Sequence, residues 1–241
     1  MGNVLSAPTE GNWAYAVYED YFVQLSEAGF TNVRIPVDFY SGGFLNSDYS
    51  LNGSQRSSIN IDGCANNSCF SSNSNTASNY DGSLDDYQVN QEYLDRVQQI
   101  VDWAITHNII VVLDFHGNNL KQEFVYTFQN EQINGVNYYT NPTSAKRLAD
   151  INRFKAIWRD VANRFKDYST TTLVFDLINE PYFSVSADEM NDLNLNLIET
   201  VRATGSNNLT RGIIINGGGA SSWEVPFEIS SEVLSLSLIH I

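Results

Sequence analysis

Segments with apolar residues at helical spacing alternate along the chain with short runs of consecutive apolar residues. Segment 91–106 is the clearest of the first kind, because its apolar residues share one helical face. These residues are Leu94, Val97, Ile100, Val101 and Ala104. The run 109–113 follows and is apolar throughout, as in a strand that is buried on both faces. The alternation predicts helices that pack on a parallel sheet.

Four helices and four strands are predicted in this way, separated by polar segments. The helices are expected at 18–28, 91–106, 144–166 and 186–205, and the strands at 32–37, 109–113, 172–178 and 212–215. Gly29 indicates the end of the first helix, and Ser186 with Glu189 predicts a capping box at the start of the fourth. The apolar residues expected to face the core from the third helix are Leu148, Ile151, Phe154, Ile157, Trp158, Val161 and Phe165.

We also expect a short first strand near the N-terminus and a last apolar stretch from about Val233. Together with the predicted helices and strands, they make roughly six β units. A complete (β/α)8 barrel has eight units in about 250 residues, and two long polar loops take up much of the 241 residues here. The predicted fold class is therefore α/β, a (β/α)8 TIM barrel that is incomplete, with about six of its eight units. The composition marks no internal boundary, so residues 1–235 are predicted to form one domain.

The formal net charge of −15 excludes several classes of partner. Duplex nucleic acid and anionic membranes repel such a chain, since binding them requires clustered Lys and Arg. No apolar run approaches the roughly 20 residues of a membrane span. A neutral polymer such as a polysaccharide is compatible with this charge. We therefore expect a monomer that binds a polysaccharide and binds neither nucleic acid nor a membrane.

The two cysteines, Cys64 and Cys69, are separated by four residues within a loop rich in Ser, Asn and Gly. A zinc site usually requires four ligands, and no histidine is close to them in sequence. A small disulfide is favoured over two free thiols, and it would indicate an oxidising compartment. The protein is therefore expected to be extracellular, although no signal peptide opens the sequence.

Polar residues of particular kinds lie in or directly after four predicted strands: Arg34, His116, Asn179 with Glu180, and Asn216. In a (β/α) barrel the carboxyl ends of the strands converge on one face, where the chemistry takes place. The set combines a carboxylate, a cation, an imidazole and amides. It includes no phosphate cradle, no Ser-His-Asp order and no metal cluster. We therefore predict a catalytic site without a cofactor or a metal.

Glu180 is the strongest catalytic candidate. A carboxyl group that follows an apolar strand is expected to be partly desolvated, which favours its protonated form. It can then donate a proton to a leaving oxygen near neutral pH, and Pro181 restricts the turn after it. The structural alternative is a glutamate that caps the following loop.

Arg34 and His116 each have a functional and a structural interpretation. His116 can bind a sugar hydroxyl or tune a carboxylate, or it can be a satisfied core histidine. Arg34 can orient a second carboxylate, or it can form an ion pair within the barrel. Asp114 and Asp176 are predicted to be hydrogen-bond partners in the barrel interior.

The tryptophans divide into two groups by their predicted positions. Sugars stack their C–H faces on aromatic rings, so tryptophans near strand ends are candidates for a substrate cleft. Trp13 and Trp223 lie near such ends and are predicted to line the cleft. Trp103 and Trp158 lie on predicted helices and are assigned to the core.

Segments 29–36, 112–116 and 175–181 resemble glycoside hydrolase family 5, the cellulase family. They read GFTNVRIP, VLDFH and FDLINEP, and the resemblance extends from about Gly2 to Trp223. The sequences Val-Arg-Ile-Pro and Asn-Glu-Pro at this spacing carry it. The resemblance implies a barrel enzyme with a retaining mechanism, in which two glutamates have carboxyl groups roughly 5 Å apart.

The resemblance also implies roles for individual residues. Glu180 matches the acid/base of the family, and Asn179 matches the amide that contacts the sugar 2-hydroxyl. Arg34 and His116 match the family's arginine on the second strand and histidine on the third. Segments 2–3 and 7–13 look like the end of the first strand and the loop after it. The predicted substrate-binding residues are Asn3, Trp13, Asn216 and Trp223.

The predicted activity is that of a secreted, retaining endo-β-1,4-glucanase that degrades plant-type polysaccharide. Rival substrates are β-mannan and β-1,3-glucan, and the rival class is a non-catalytic carbohydrate-binding barrel. Some relatives have a His-His pair where this chain has His116 and Gly117, and some have a glutamate at the position of Ser6. Substrate contacts at these two positions are expected to differ from those of such relatives.

The family's nucleophile is a glutamate on the seventh strand, which this sequence does not reach. Residues 236–241 resemble the translated adapter of a sequencing library, and we expect them to be a non-native tail. The alternative is a natural sixth strand, in which His240 is the histidine of the family's sixth strand. We expect the 241 residues by themselves to show little or no turnover.

Overall fold

The computed structural model describes residues 4–6, 10–11, 14–39, 84–86, 89, 91–117, 120–121, 124, 132–133, 136–137, 145–181, 183, 185–217 and 225–236. Its helices are α1 (Glu19–Glu27), α2 (Gln91–Thr106), α3 (Ala145–Phe165), α4 (Ala187–Ala203), α5 (Val225–Glu228) and α6 (Ser231–Leu236). Its strands are β1 (Asn32–Val37), β2 (Ile110–Phe115), β3 (Gln132–Ile133), β4 (Val136–Asn137), β5 (Leu173–Asp176) and β6 (Ile213–Ile214). The four predicted helices and four predicted strands are all present within these residues.

Four strands form one parallel sheet, with the order β1-β2-β5-β6. The helices α2, α3 and α4 provide the crossovers that parallel neighbours require. Leu5 also forms a parallel bridge with Val37, which places the N-terminal segment beside β1, where the short first strand was expected. Within this sheet, each strand thus lies beside the sheet's next strand in chain order, as in successive units of a (β/α) barrel.

The inner faces of the helices form one hydrophobic core with the strands. The predicted face of α2 is confirmed, because its five apolar residues are all 1% exposed or less. Trp158 on α3 is buried, and its indole Nε1 donates to the Leu177 carbonyl at 3.1 Å. Trp103 is partly buried against the same core, with the Arg96 guanidinium 5.0 Å from its ring centre. Both tryptophans therefore belong to the core, as predicted.

The prediction that Leu148 faces the core is wrong, since Leu148 is 48% exposed. The inward face of the first turns of α3 is polar instead. Arg147 is buried and pairs with Glu189 of α4 at 3.0 Å, and Arg153 pairs with Asp150 at 3.2 Å. Residues three apart share a helical face, so burying 147, 150 and 153 turns position 148 outward.

The ends of β2, β5 and β6 differ from the sequence prediction by one or two residues. β2 begins one residue later and continues through Asp114 and Phe115, because these residues remain paired with Pro36 and Val37 of β1. The predicted strand at 172–178 is shorter and ends at Asp176. The backbone pairing of the neighbouring strand decides these limits, and a charged side chain such as that of Asp114 does not interrupt it.

The last described residues form the short helix α6, in which Val233 is buried. The alternative sixth strand was expected at 236–241, of which only Leu236 is described, so it stays a prediction. Among the described helices, none combines the length and the apolar character needed to cross a bilayer.

Candidate active site

Strands β1, β2 and β5 each contribute a charged side chain to the same part of the sheet. Asp114 of β2 lies opposite Asp176 of β5 in the parallel register. Arg34 of β1 lies opposite Val112, two residues before Asp114. Side chains two residues apart on a strand point to the same face. The three charged groups therefore meet near the carboxyl ends of the strands.

Arg34 contacts both aspartates and one amide. Its Nε and Nη2 donate to Asp176 Oδ2 at 3.1 and 2.8 Å, and its Nη2 lies 3.1 Å from Asp114 Oδ1. The same Nη2 donates to Asn179 Oδ1 at 2.8 Å. The ion-pair interpretation of Arg34 is therefore confirmed, and so is the prediction that Asp114 and Asp176 are polar partners inside the barrel. The expected role of Arg34 in orienting a second catalytic carboxylate stays a prediction.

Asp176 is the carboxyl group that burial affects most clearly in this network. Its pKa is raised from the ordinary 3.8 to about 6, first by burial and then by the nearby Asp114 carboxylate. Hydrogen bonds and charge from Arg34, and charge from His116, act in the opposite direction. Asp176 thus gains a proton more readily in the folded chain than in water.

His116 lies between a carboxylate and an amide. Its Nδ1 is 2.9 Å from Asp114 Oδ2, and its Nε2 is 3.4 Å from Asn179 Nδ2. A proton on Nδ1 donates to Asp114, which leaves Nε2 to accept from the asparagine amide. Both ring nitrogens of His116 thus have polar partners, as either a functional or a satisfied core histidine would have, and its role in the site stays a prediction.

Asn179 is held at both ends of its side-chain amide. Arg34 donates to its oxygen and His116 lies at its nitrogen, while the backbone N–H of Asn179 donates to the Phe115 carbonyl at 2.9 Å. The residue is 6% exposed. Three strands therefore fix the orientation of this amide before any ligand arrives, as a preorganised site requires.

Glu180 follows Asn179 directly, but its side chain is exposed. The prediction that it is partly desolvated is wrong. The apolar strand ends at Asp176, and the backbone turns at Glu180, which has a φ of +43°. A positive φ is uncommon for a residue with a side chain, and a following proline normally favours extended backbone. Strain of this kind clusters at functional sites, and the buried Asn179 and Pro181 hold it in place.

Lys121 is a neighbour of this turn that sequence reasoning missed. The residue is 2% exposed, and its ammonium Nζ donates to the Asn179 carbonyl at 2.9 Å. Burial lowers the pKa of Lys121, while the Glu180, Asp114 and Asp38 carboxylates oppose that effect. A lysine in a polar loop gives no sequence signal of burial, so only the tertiary structure identifies it.

The predicted substrate-binding residues are only partly described. Asn216 uses its amide nitrogen to donate to the Ile178 carbonyl, and its own carbonyl accepts from Asn194 at 2.8 Å. It therefore supports the backbone that leads into Asn179, and its contact with a sugar stays a prediction. The predicted residues that lie outside the described part of the chain are Asn3, Trp13, Trp223, Cys64 and Cys69.

Gly117 occupies the position where some relatives have a second histidine. A Cβ atom there would lie 2.4 Å from Phe115 Cζ and 2.8 Å from Asp38 Oδ1, which is closer than packed atoms allow. Ser6, at the position of a glutamate in some relatives, is 8% exposed. A side chain at Gly117 would therefore require the neighbouring ring and carboxylate to move.

The residues described here contain no group of three or more His, Cys, Asp or Glu side chains arranged to hold a metal ion. The chemistry that their geometry supports is instead proton transfer and hydrogen bonding at a strand-end carboxylate. The fixed amide of Asn179 lies directly before that carboxylate in the chain, and the buried Lys121 ammonium donates to the Asn179 carbonyl.

The chain matches the cellulase family, glycosyl hydrolase family 5, over residues 3–232. Endoglucanase H of Acetivibrio thermocellus is 27% identical over 223 residues, which make up 92% of this chain and 18% of that protein. Endoglucanase A of Paenibacillus barcinonensis is 26% identical over 231 residues, or 90% of this chain and 45% of that protein. The chain thus spans less than half the length of these two relatives.

A solved structure of similar fold is that of a tri-modular GH5 (subfamily 4) endo-β-1,4-glucanase from Bacillus licheniformis. The two chains are 26% identical, with a TM-score of 0.64, over 95% of this chain and 34% of the other. The same glucanase is also known in complex with cellotetraose. This likeness confirms the predicted (β/α)8 barrel class, of which the described strands form one part.

The family match covers nearly all of the sequence, and it includes the strand ends that bring Arg34, His116 and Asn179 together, with Glu180 as the next residue in the chain. The three segments that carried the resemblance, 29–36, 112–116 and 175–181, all lie within it. The chain belongs to glycoside hydrolase family 5, the cellulase family.

Proposed function

We propose that this chain is part of the catalytic domain of a retaining endo-β-1,4-glucanase, with Glu180 as the acid/base. The observation that carries the proposal is the network that fixes the Asn179 amide next to Glu180, through Arg34 and His116. Relatives named as endoglucanases and a cellotetraose complex of a similar glucanase support the choice of β-1,4-glucan.

Glu180 acts twice in this mechanism. It first donates its proton to the glycosidic oxygen, while a second carboxylate attacks the anomeric carbon and forms a glycosyl-enzyme. The ionised Glu180 then takes a proton from water, which displaces the second carboxylate and releases the sugar with its configuration retained. We assign the nucleophile to none of the described residues, since the resemblance implies a glutamate on a later strand.

Asn179, Arg34 and His116 position the sugar and the acid/base in this proposal. The amide of Asn179 is held in one orientation, so it can bind a sugar hydroxyl without first losing rotational freedom. Hydrogen bonds to the 2-hydroxyl strengthen as the oxocarbenium-like transition state forms. Such a contact lowers the barrier rather than merely tightening ground-state binding.

Glu180→Gln tests the proposal in the full-length protein that contains this chain. We expect kcat on soluble β-1,4-glucan to fall about 10²- to 10⁴-fold, the usual contribution of general acid–base catalysis, with binding of cello-oligosaccharides retained. An aryl cellobioside with a good leaving group needs no proton, so its bond cleavage should suffer less. Glu199→Gln, at an exposed position of α4, is the matched control and should leave kcat unchanged.

Unchanged hydrolysis by Glu180→Gln would instead favour the non-catalytic carbohydrate-binding barrel. Substrate choice is measured separately, as kcat/KM on β-1,4-glucan, β-1,4-mannan and β-1,3-glucan. We expect β-1,4-glucan to give the highest value. A clear preference for mannan or β-1,3-glucan would correct the substrate and leave the role of Glu180 intact.

We further propose that the protein is secreted and acts as a monomer on extracellular polysaccharide. The acidic chain, with a net charge of −15, suits a neutral polymer better than an anionic one. The expectation that these 241 residues alone show little or no turnover stays a prediction. Reducing-sugar release from the isolated polypeptide, measured beside the full-length protein, checks it.

A further inference from the structure

A buried ammonium group lies next to the Asn179–Glu180 turn, and nothing in the proposed mechanism uses it. Lys121 is 2% exposed, although its ammonium is a strongly hydrated cation. Its Nζ donates to the Asn179 carbonyl at 2.9 Å. Its backbone N–H donates to the Gly117 carbonyl at 3.3 Å, which ties the residue to the segment that follows His116. Charged groups are almost never fully buried unless they are paired, so its surroundings need an explanation.

The charges around Lys121 are mostly negative. Glu180, Asp114 and Asp38 interact with it favourably, and Arg34 interacts unfavourably. Glu180 is the largest of these influences, and burial is the one effect that exceeds it. Asp114 and Asp38 are themselves buried, at 0% and 6% exposure, whereas Glu180 is exposed. The ammonium therefore interacts electrostatically with two interior carboxylates and with the exposed carboxylate of Glu180.

We propose that Lys121 is a positioning residue of this site, which holds the Asn179–Glu180 peptide and places a positive charge beside the Glu180 carboxyl group. The inference rests on the proposed function of Glu180. The peptide in question has its carbonyl on Asn179 and leads directly into the +43° φ of Glu180. A charge-assisted hydrogen bond to that carbonyl restrains the strained turn.

The position of the charge has a consequence for catalysis. A nearby cation stabilises the ionised form of a carboxyl group, which Glu180 needs when it activates water. The alkaline limb of kcat/KM reports the loss of the proton from the acid in the free enzyme. Removal of the ammonium takes away this stabilising charge, so we expect the alkaline limb of kcat/KM to move upward.

Lys121→Met tests the inference in the full-length protein, because methionine retains most of the length without the charge. We expect kcat/KM on β-1,4-glucan to fall roughly tenfold or more, as for the loss of one charge-assisted hydrogen bond. The alkaline limb should rise by about half a pH unit or more. Lys121→Gln is the second uncharged variant and should move the limb in the same direction. Lys121→Arg keeps the charge and should leave the limb in place.

Val111→Ala is the matched control for simple loss of stability. Val111 is fully buried in β2, so its truncation lowers the unfolding temperature through lost packing and should not move the pH limb. An unmoved limb in both uncharged variants overturns the proposal. Failure of both to fold also counts against it, because the ammonium would then serve the fold. If Glu180→Gln keeps normal hydrolysis, the proposed function itself fails, which is a separate result.

Discussion

At the scale of single residues, the candidate site is a set of charged side chains inside the barrel. Burying a charged group there costs free energy unless the group is paired. Asp114 and Asp176 lie on neighbouring strands, and each is nearly inaccessible to water. Arg34 bonds to Asp176 and lies 3.1 Å from Asp114, and its remaining donor capacity reaches Asn179. The ion pairs that make the fold possible thus also orient the amide that precedes Glu180.

Asp176→Asn should change how stability depends on pH. The folded pKa of about 6 lies above the ordinary 3.8, so the folded chain binds more protons than the unfolded chain between these values. Stability from this group is therefore full below about pH 4 and is lost as pH rises through 6, by roughly 3 kcal/mol. Urea unfolding at pH 4, 5, 6 and 7 should show a smaller fall in the variant.

The exposed Asp192 on α4 offers the matched control for that experiment. Asp192→Asn removes a carboxyl group of the same chemistry from a solvated helix face, so the pH slope should stay that of the parent protein. If Asp176→Asn and Asp192→Asn give the same slope, the buried carboxyl group does not carry this pH dependence. The idea that its burial matters for stability would then be wrong.

At the scale of elements, helix α4 begins in a way that the sequence alone predicts. Ser186 Oγ accepts from the Glu189 N–H at 3.2 Å, and Glu189 Oε2 accepts from the Ser186 N–H at 3.0 Å. This is the predicted capping box, and it satisfies two donors that a helix start otherwise leaves unpaired. The same glutamate also pairs with Arg147 of α3, so the cap joins two helices.

Ser186→Ala should therefore lower the free energy of unfolding more than an ordinary surface substitution does. Loss of an N-cap hydroxyl typically lowers the free energy of unfolding by about 1 kcal/mol. Chemical denaturation of the two proteins side by side measures the difference. Ser186→Thr retains a hydroxyl and should stay within a few tenths of a kcal/mol of the parent. An alanine variant as stable as the threonine variant would show that the cap adds nothing here.

At the scale of the whole molecule, the two ends of the sheet perform different tasks. The carboxyl ends of the strands contain Arg34, His116, Asn179 and Glu180. The opposite end contains Arg211, whose guanidinium is fully buried and donates to several backbone carbonyls. These carbonyls belong to Phe165, Tyr168, Ser169 and Leu173. In (β/α) barrels, catalytic residues lie at the carboxyl ends of the strands, and residues at the opposite end contribute to stability.

Arg211→Met should lower stability without changing catalysis. The variant leaves buried carbonyls without donors, and each unsatisfied group lowers the free energy of unfolding by about 1–3 kcal/mol. We expect the free energy of unfolding to fall by about 3 kcal/mol or more in total. For a domain of this size that corresponds to a fall of ~6 to 12 °C in Tm. KM and the pH profile on β-1,4-glucan should be unchanged at temperatures where the protein is folded. An altered pH profile would contradict the division of tasks.

The sequence predicted the elements well and the site only in part. Apolar spacing located α2 and β1 at their observed limits, because helix and strand periods are properties of local sequence. It placed Leu148 in the core wrongly, since a polar stripe of Arg147, Asp150 and Arg153 occupies that face. Burial of a charged stripe depends on partners elsewhere in the chain, such as Glu189, which local spacing does not contain.

The individual site residues show the same division. Arg34, His116 and Asn179 could be predicted to meet, because strand order and the carboxyl ends of parallel strands follow from the pattern of elements. The exposure of Glu180 could not be predicted, since it depends on where the ladder ends and on the +43° φ there. Lys121 could not be identified either, because it lies outside the predicted helices and strands and its burial depends on the distant segments that pack around it.

The amino-acid sequence by itself determined the order of helices and strands, the α/β class and the polar residues at the strand ends. Local periodicity, capping residues and turn residues decide these features, and they act over only a few positions. The tertiary structure alone decided which of those charges are paired, which are buried, and that a lysine ammonium lies at the Asn179 carbonyl. Burial and electrostatics depend on distances between segments that are far apart in the chain, so no local pattern contains them.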